Sequence, residues 1–203
     1  MAIQALQWTS LSPEPQLLSA RQHQADDIAV LTTIFEPDVN LSVWQRCLAT
    51  SIRHYADDLL IALKHPIQRR VALHDVSLLL DTLLPAANGK KAFIADVQQV
   101  ADIFACLMDC AELGVRLSAL QQPMCPKFHT DHLVCRLVST YSGPGTEWHS
   151  GPLSDPATCH ALNTGDVALL KGSGWEDMQT YAISHRSPAV AGARLLLTLD
   201  PVW

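Results

Sequence analysis

In the first half of the chain, apolar positions recur every three or four residues; in the second half they alternate or crowd into short runs. Val43, Trp44, Cys47, Leu48, Ile52, Tyr55, Leu59 and Ala62 keep the helical period, which predicts one long amphipathic helix from Leu41 to Leu63. Val71 to Leu84 reads as a second helix, stopped by Pro85 and the Asn88-Gly89 turn. A third is predicted from Phe93 to Ala111, with Val97, Val100, Ala101, Phe104, Leu107 and Met108 along one stripe. Asp26-Asp27 is placed to cap a short helix through Ile34, which Pro37 ends. Residues 1–26, polar and proline-bearing, read as an irregular arm or cover.

Beyond Glu112 the period shortens. Val115 to Leu120 alternates with period two, as a half-buried strand does. Leu133 to Tyr141 is a longer strand, apolar on both faces and broken by Gly143-Pro144-Gly145. Val167 to Leu170, Tyr181 to His185 and Arg194 to Leu199 complete the strands, separated by glycine and proline punctuation. Helices followed by strands indicate an α+β fold in one domain. Residues 1–112 form a mainly helical cover, and residues 113–203 form a β-sandwich or barrel core.

Composition narrows the class. Of the 203 residues, 48% are hydrophobic and 17% charged, which is globular rather than disordered. The net charge of −6 and the lack of a Lys/Arg cluster argue against a nucleic-acid partner. No apolar run approaches the roughly 18 to 20 residues that cross a bilayer, so no membrane partner is expected. Met1 to Ser10 lacks a basic region followed by an apolar core, which predicts a cytoplasmic protein. The six cysteines, with no C-x-x-C pair among them, then read as free thiols or ligands.

The chemistry is concentrated in Phe128-His129-Thr130-Asp131, answered by His185 and Arg194. In a strand, residues i and i+2 share a face, so His129 and Asp131 would present a nitrogen and an oxygen donor side by side. With His185 they make a two-histidine, one-carboxylate set, the facial triad of non-haem Fe(II) oxygenases. Arg194, on a strand expected to lie antiparallel to that of His185, is suited to hold the far carboxylate of a 2-oxo acid through paired hydrogen bonds.

Cys125 to His132, Arg136 to Trp148, Gly165 to Gly172 and His185-Arg186-Ser187-Pro188 together resemble the bacterial DUF1826 family. Genes of that family accompany zinc-homeostasis functions, which keeps Zn(II) beside Fe(II) as the metal. More distantly, the His129/Asp131/His185/Arg194 set is similar to the Fe(II)- and 2-oxoglutarate-dependent dioxygenases. That resemblance implies a double-stranded β-helix of the jelly-roll or cupin kind, with helices packed on one sheet. It also implies Arg194 binding the 2-oxoglutarate C5 carboxylate and a hydroxylase-like activity.

Several residues stand in a second tier. Tyr141 has strand parity with Asp131 and is placed either to bond a bound carboxylate or to be a buried aromatic. Glu147, Trp148 and Trp175 are candidates for the substrate mouth, the last on the Gly172-Ser173-Gly174 loop. Lys171 is an alternative carboxylate binder, or else an exposed strand end. Cys106 and Cys110 share a helical face, and His149, Cys159 and His160 form a possible accessory zinc set, while His132 faces away from the triad. Three functions remain open at this point: an Fe(II)/2-oxoglutarate oxygenase acting on a small molecule or a protein side chain, a non-catalytic zinc-binding protein of metal homeostasis, and a cupin-like metalloenzyme that uses no oxo acid, such as an isomerase or hydrolase. Substrate and oligomeric state are not legible.

Overall fold

The computed structural model describes residues 20–150, 155–176, 182–190 and 192–203. Ten strands and three α-helices are present: β1 (Arg21–Ala25), β2 (Val39–Trp44), α1 (Thr50–Ala62), β3 (Ile67–Ala72), α2 (Val76–Leu83), α3 (Lys90–Met108), β4 (Glu112–Leu120), β5 (Cys135–Ser142), β6 (Glu147–His149), β7 (Cys159–Ala161), β8 (Val167–Lys171), β9 (His185–Arg186) and β10 (Arg194–Val202). Seven strands make one large sheet in the order β1-β2-β8-β5-β10-β4-β3, and β7-β6-β9 make a smaller one. All pairings in the large sheet are antiparallel except β1 with β2.

Strand alternation decides what each face of the large sheet meets. Leu113, Val115 and Leu117 of β4, Leu137 and Tyr141 of β5, and Leu195, Leu197 and Leu199 of β10 pack with Ile52, Tyr55 and Leu59 of α1 and Phe93, Val97, Val100 and Phe104 of α3. Burying each such side chain contributes about 1.5 to 3 kcal/mol, so this helix-facing layer is the main core. On the other face, Leu41, Val43, Val138, Ala168 and Leu170 meet Trp148, Leu162 and Ile183 from the side of the smaller sheet. Asp96 of α3 fixes the helices to the sheet. It accepts two hydrogen bonds from Arg46 (2.7 and 2.9 Å) and one from the Tyr141 hydroxyl (2.6 Å).

The structure corrects four of the predicted elements. The run Leu41 to Leu63 is not one helix: its first part belongs to β2, and only Thr50–Ala62 is helical. Val39, Leu41 and Val43 alternate with Asn40 and Ser42 across the strand, and Ser42 Oγ pairs with Thr33 Oγ1 beneath it. The second predicted helix is likewise preceded by β3 and a 3-10 turn, Leu73–Asp75, and is helical over Val76–Leu83. Residues 21–25 of the supposed arm form β1, whereas residues 1–19 lie outside the described residues. The strand expected over Tyr181 to His185 is found as His185–Arg186, and Tyr181 is not among the described residues. The capped segment after Asp27 forms as expected, as a 3-10 helix over Ile28–Phe35 with Asp27 Oδ1 accepting from Ala29 N. Among the described residues no helix is long and apolar enough to cross a membrane.

Candidate metal centre

The connection from β4 to β5 forms a β-bridge to the smaller sheet at residue 129. His129 N donates to His185 O (3.0 Å) and His185 N donates to His129 O (2.9 Å). Residues bonded reciprocally in this way lie directly opposite one another with side chains on one face, and the two imidazole centroids are 4.6 Å apart. Each ring is also held by the carbonyl two residues before it. His129 Nδ1 lies 3.0 Å from Lys127 O, and His185 Nδ1 lies 3.3 Å from Ile183 O. An Nδ1–H donating to those carbonyls leaves each Nε2 with a free lone pair, the state in which imidazole binds metal.

Asp131 completes the set, with Oδ1 3.8 Å from His129 Nε2 and Oδ2 3.4 Å from His185 Nε2. The three donor atoms lie within 4.8 Å of one another, the one such group among the described residues. A cation with bonds of about 2.1 Å fits a gap of that size, so the donor set suits a metal. Burial lowers the His185 pKa; Asp131 opposes this and His129 reinforces it, a shift toward the neutral imidazole that coordination uses.

His129 and Asp131 do not share a strand face as expected. Only residue 129 makes a ladder pair, and Asp131 sits in the following loop, outside any strand. Ser173 N donates to Asp131 O (2.8 Å) and Gly172 N to Val134 O (3.0 Å), which press this loop onto the end of β8. A Cβ on Gly172 would fall 2.0 Å from Leu133 O and 2.7 Å from Asp131 O, so the approach requires glycine.

Arg136 steadies the carboxylate. Its Nη1 donates to Asp131 Oδ2 (2.9 Å), while Nε and Nη2 grip Asp200 (2.7 and 2.8 Å). The signal for it is a lone charged residue near the head of a strand that carries no other charge. Arg194 is 4% exposed. Its Nη1 donates to Thr146 Oγ1 (3.2 Å) and its Nη2 to Ser187 Oγ (3.1 Å). No acidic side chain pairs with it among the described residues, and burial lowers its pKa to about 10, opposed by the nearby Cys125 thiol. A buried guanidinium bonded only to hydroxyls retains unmet capacity for an anion. Arg194 and His185 are not on neighbouring strands, since β10 lies in the large sheet and β9 in the smaller one. Ser187, two residues after His185, joins them instead.

The second-tier residues scatter. Tyr141 does not reach the triad: it faces the helices, and its hydroxyl is committed to Asp96. Glu147 is structural in its contacts, pairing with Arg186 Nε (2.7 Å) and accepting from Ala189 N (3.0 Å). Trp148 is buried between the sheets, and Trp175 packs on Phe35 and under the Lys171 ammonium. Lys171 is not an exposed strand end: it is 1% exposed and donates to Glu36 O (2.9 Å). His132 bonds Ser173, His149 bonds Thr158 and His160 bonds Ser150, so none joins the triad. None of the six cysteines does so either, and Cys106 is exposed on α3.

Solved dioxygenases share this fold. Dioxygenase for auxin oxidation 1 from Arabidopsis thaliana, in complex with 2-oxoglutarate, aligns with a TM-score of 0.52 at 11% identity, covering 90% of this chain and 92% of that one. The rice dioxygenase for auxin oxidation aligns with a TM-score of 0.52 at 12% identity, covering 80% and 73%. At such identities the likeness is one of fold. No curated protein matches the sequence. The profile described as "Protein of unknown function (DUF1826)" matches residues 25–200, and the chain belongs to that family.

Proposed function

We propose that the protein is an Fe(II)- and 2-oxoglutarate-dependent oxygenase, with His129, Asp131 and His185 as metal ligands and Arg194 as the co-substrate anchor. The observation that carries this reading is the pairing of a two-histidine, one-carboxylate set with a buried arginine that has no acidic partner among the described residues. The strand path supports it. From β4 onward the chain alternates between sheets: β4 in the large, residue 129 at the small, β5 large, β6 and β7 small, β8 large, β9 small and β10 large. We read that alternation as a double-stranded β-helix. The donor set is that of the two-histidine, one-carboxylate facial triad of non-haem Fe(II) oxygenases, and no thiolate belongs to it.

In this reading the chain's own groups have separate tasks. The two imidazoles present Nε2 while their Nδ1 atoms stay bonded to main chain. Asp131 keeps its orientation through Arg136. Thr146 and Ser187 set the plane of the Arg194 guanidinium, which holds the far carboxylate of 2-oxoglutarate. Trp148, Leu162 and Ile183 exclude water between the sheets. Iron bound at the triad would supply O2 activation coupled to decarboxylation of the oxo acid.

The test is an anaerobic titration of metal-free protein with Fe(II) and then 2-oxoglutarate, followed by visible absorption. A weak charge-transfer band that needs both additions and is lost in His185→Ala and Arg194→Ala supports the reading. Tight metal binding without any band, unchanged by Arg194→Ala, would sink it in favour of a metal-holding protein.

A further inference from the structure

A cavity of about 420 Å³ opens on the same face of the large sheet as Arg136, lined by Gln68, Arg70, Gly114, Arg116, Arg136, Met124, Thr198 and Asp200 among others. Arg136, which lines the cavity, also donates to Asp131 and grips Asp200, so one side chain separates the cavity from the candidate metal carboxylate. Its charge is opposite to that of the chain, which is −6 overall. Arg69 also lines it, which makes four arginines against one aspartate.

These arginines differ in how far they are already engaged. Arg136 is taken up by Asp131 and Asp200, and Arg70 by Glu112. Arg69 and Arg116 have no acidic partner among the described residues. Arg116 Nε is buried with no hydrogen-bond partner among the described residues. Two residues along the same strand face, Ser118 Oγ is also buried and unpartnered. Buried polar atoms in folded proteins are nearly always paired; Arg116 lines the cavity with guanidinium capacity that the described residues leave unused, and an oxyanion is the group that such capacity suits. In β4, Arg116 lies opposite Thr198 of β10, whereas Leu120 lies opposite Arg194. Arg116 and Arg194 therefore lie on one sheet face four register positions apart, at separate sites.

We propose that the primary substrate is a small molecule bearing an oxyanion, phosphate or carboxylate, which Arg116 and its neighbours bind beside the metal centre. This rests on the oxygenase reading, in which Arg194 is reserved for the co-substrate. The oxyanion fixes one end of the substrate, and Arg136 and Asp200 form the wall between that end and the triad.

The test uses the full-length, metal-free protein and isothermal titration with phenyl phosphate, benzoate and benzyl alcohol. At least one oxyanion binds, benzyl alcohol does not, and sodium chloride weakens the binding. Arg116→Gln weakens it at least tenfold, and Arg194→Gln changes it less than about twofold, since the lost contact is a charge-assisted one. Three results overturn the proposal: no oxyanion binding, binding in the wild type that is indifferent to salt, or loss in Arg194→Gln with none in Arg116→Gln. The salt titration on wild type stands even if Arg116→Gln fails to fold. None of these measurements needs metal or turnover. A missing charge-transfer band with oxyanion binding intact would therefore strike the oxygenase reading alone.

Discussion

Arg136 Nη1 lies 2.9 Å from Asp131 Oδ2, so one oxygen of the candidate metal carboxylate already carries a charge-assisted hydrogen bond. The same guanidinium is clamped by Asp200, which makes Arg136 a strut rather than a free counter-charge.

Arg136→Gln is expected to lower Fe(II) affinity about 10- to 100-fold, the usual effect of losing a group that orients a ligand. Anaerobic competition against a coloured chelator measures it. Affinity equal to wild type would mean that Asp131 is held by its loop alone.

Arg194→Gln separates co-substrate from metal. Charge-assisted hydrogen bonds contribute about 1.5 to 3 kcal/mol each, so 2-oxoglutarate affinity should fall by roughly 10- to 150-fold, with metal affinity unchanged. Equilibrium dialysis of both ligands against wild type and variant decides the point.

The Arg46–Asp96–Tyr141 network predicts unequal stability losses. Asp96→Ala leaves the largely buried Arg46 without its carboxylate and is expected to cost about 3 to 5 kcal/mol. Tyr141→Phe removes one hydrogen bond to that carboxylate and should cost less, about 1.5 to 3 kcal/mol. Urea unfolding gives both values, and equal losses would contradict this division of roles.

Lys171 gives a pH signature. Burial lowers its pKa from the ordinary 10.5, so between the lowered value and 10.5 the unfolded chain holds more protons than the folded one. Stability then rises with pH across that window. Relative to Lys171→Met, the wild type should gain stability as the pH is raised toward 10.5, read as a changing gap in urea midpoint. A constant gap would mean that the ammonium is not desolvated.

What was legible in the sequence follows from how local each signal is. The strands beyond Glu112 and the third helix were readable because their periods persist over many residues. β2 was lost inside a helix because Val43 and Trp44 satisfy both periods when Ile52 and Tyr55 are counted with them. That His129, Asp131 and His185 come together was readable from residue types, but the way the chain brings them together was not. His129 and Asp131 were assigned one strand face, yet their placement depends on Gly172 and Ser173, far along the chain. Tyr141 failed for the same reason: parity counted from Asp131 does not survive the loop between it and Cys135. Arg116 carried no motif, and only the sheet register brings it to the cavity.

The reciprocal bridge between residues 129 and 185 has a consequence for how the centre responds to emptying. The spacing of the two imidazoles is dictated by main-chain pairing, so an ion would find the histidines already in place and would only have to draw in the carboxylate. Removing it should leave the smaller sheet intact. Amide exchange would then quicken at residues 130–134 and stay slow at 129 and 185, confining the effect of metal loss to five residues of loop.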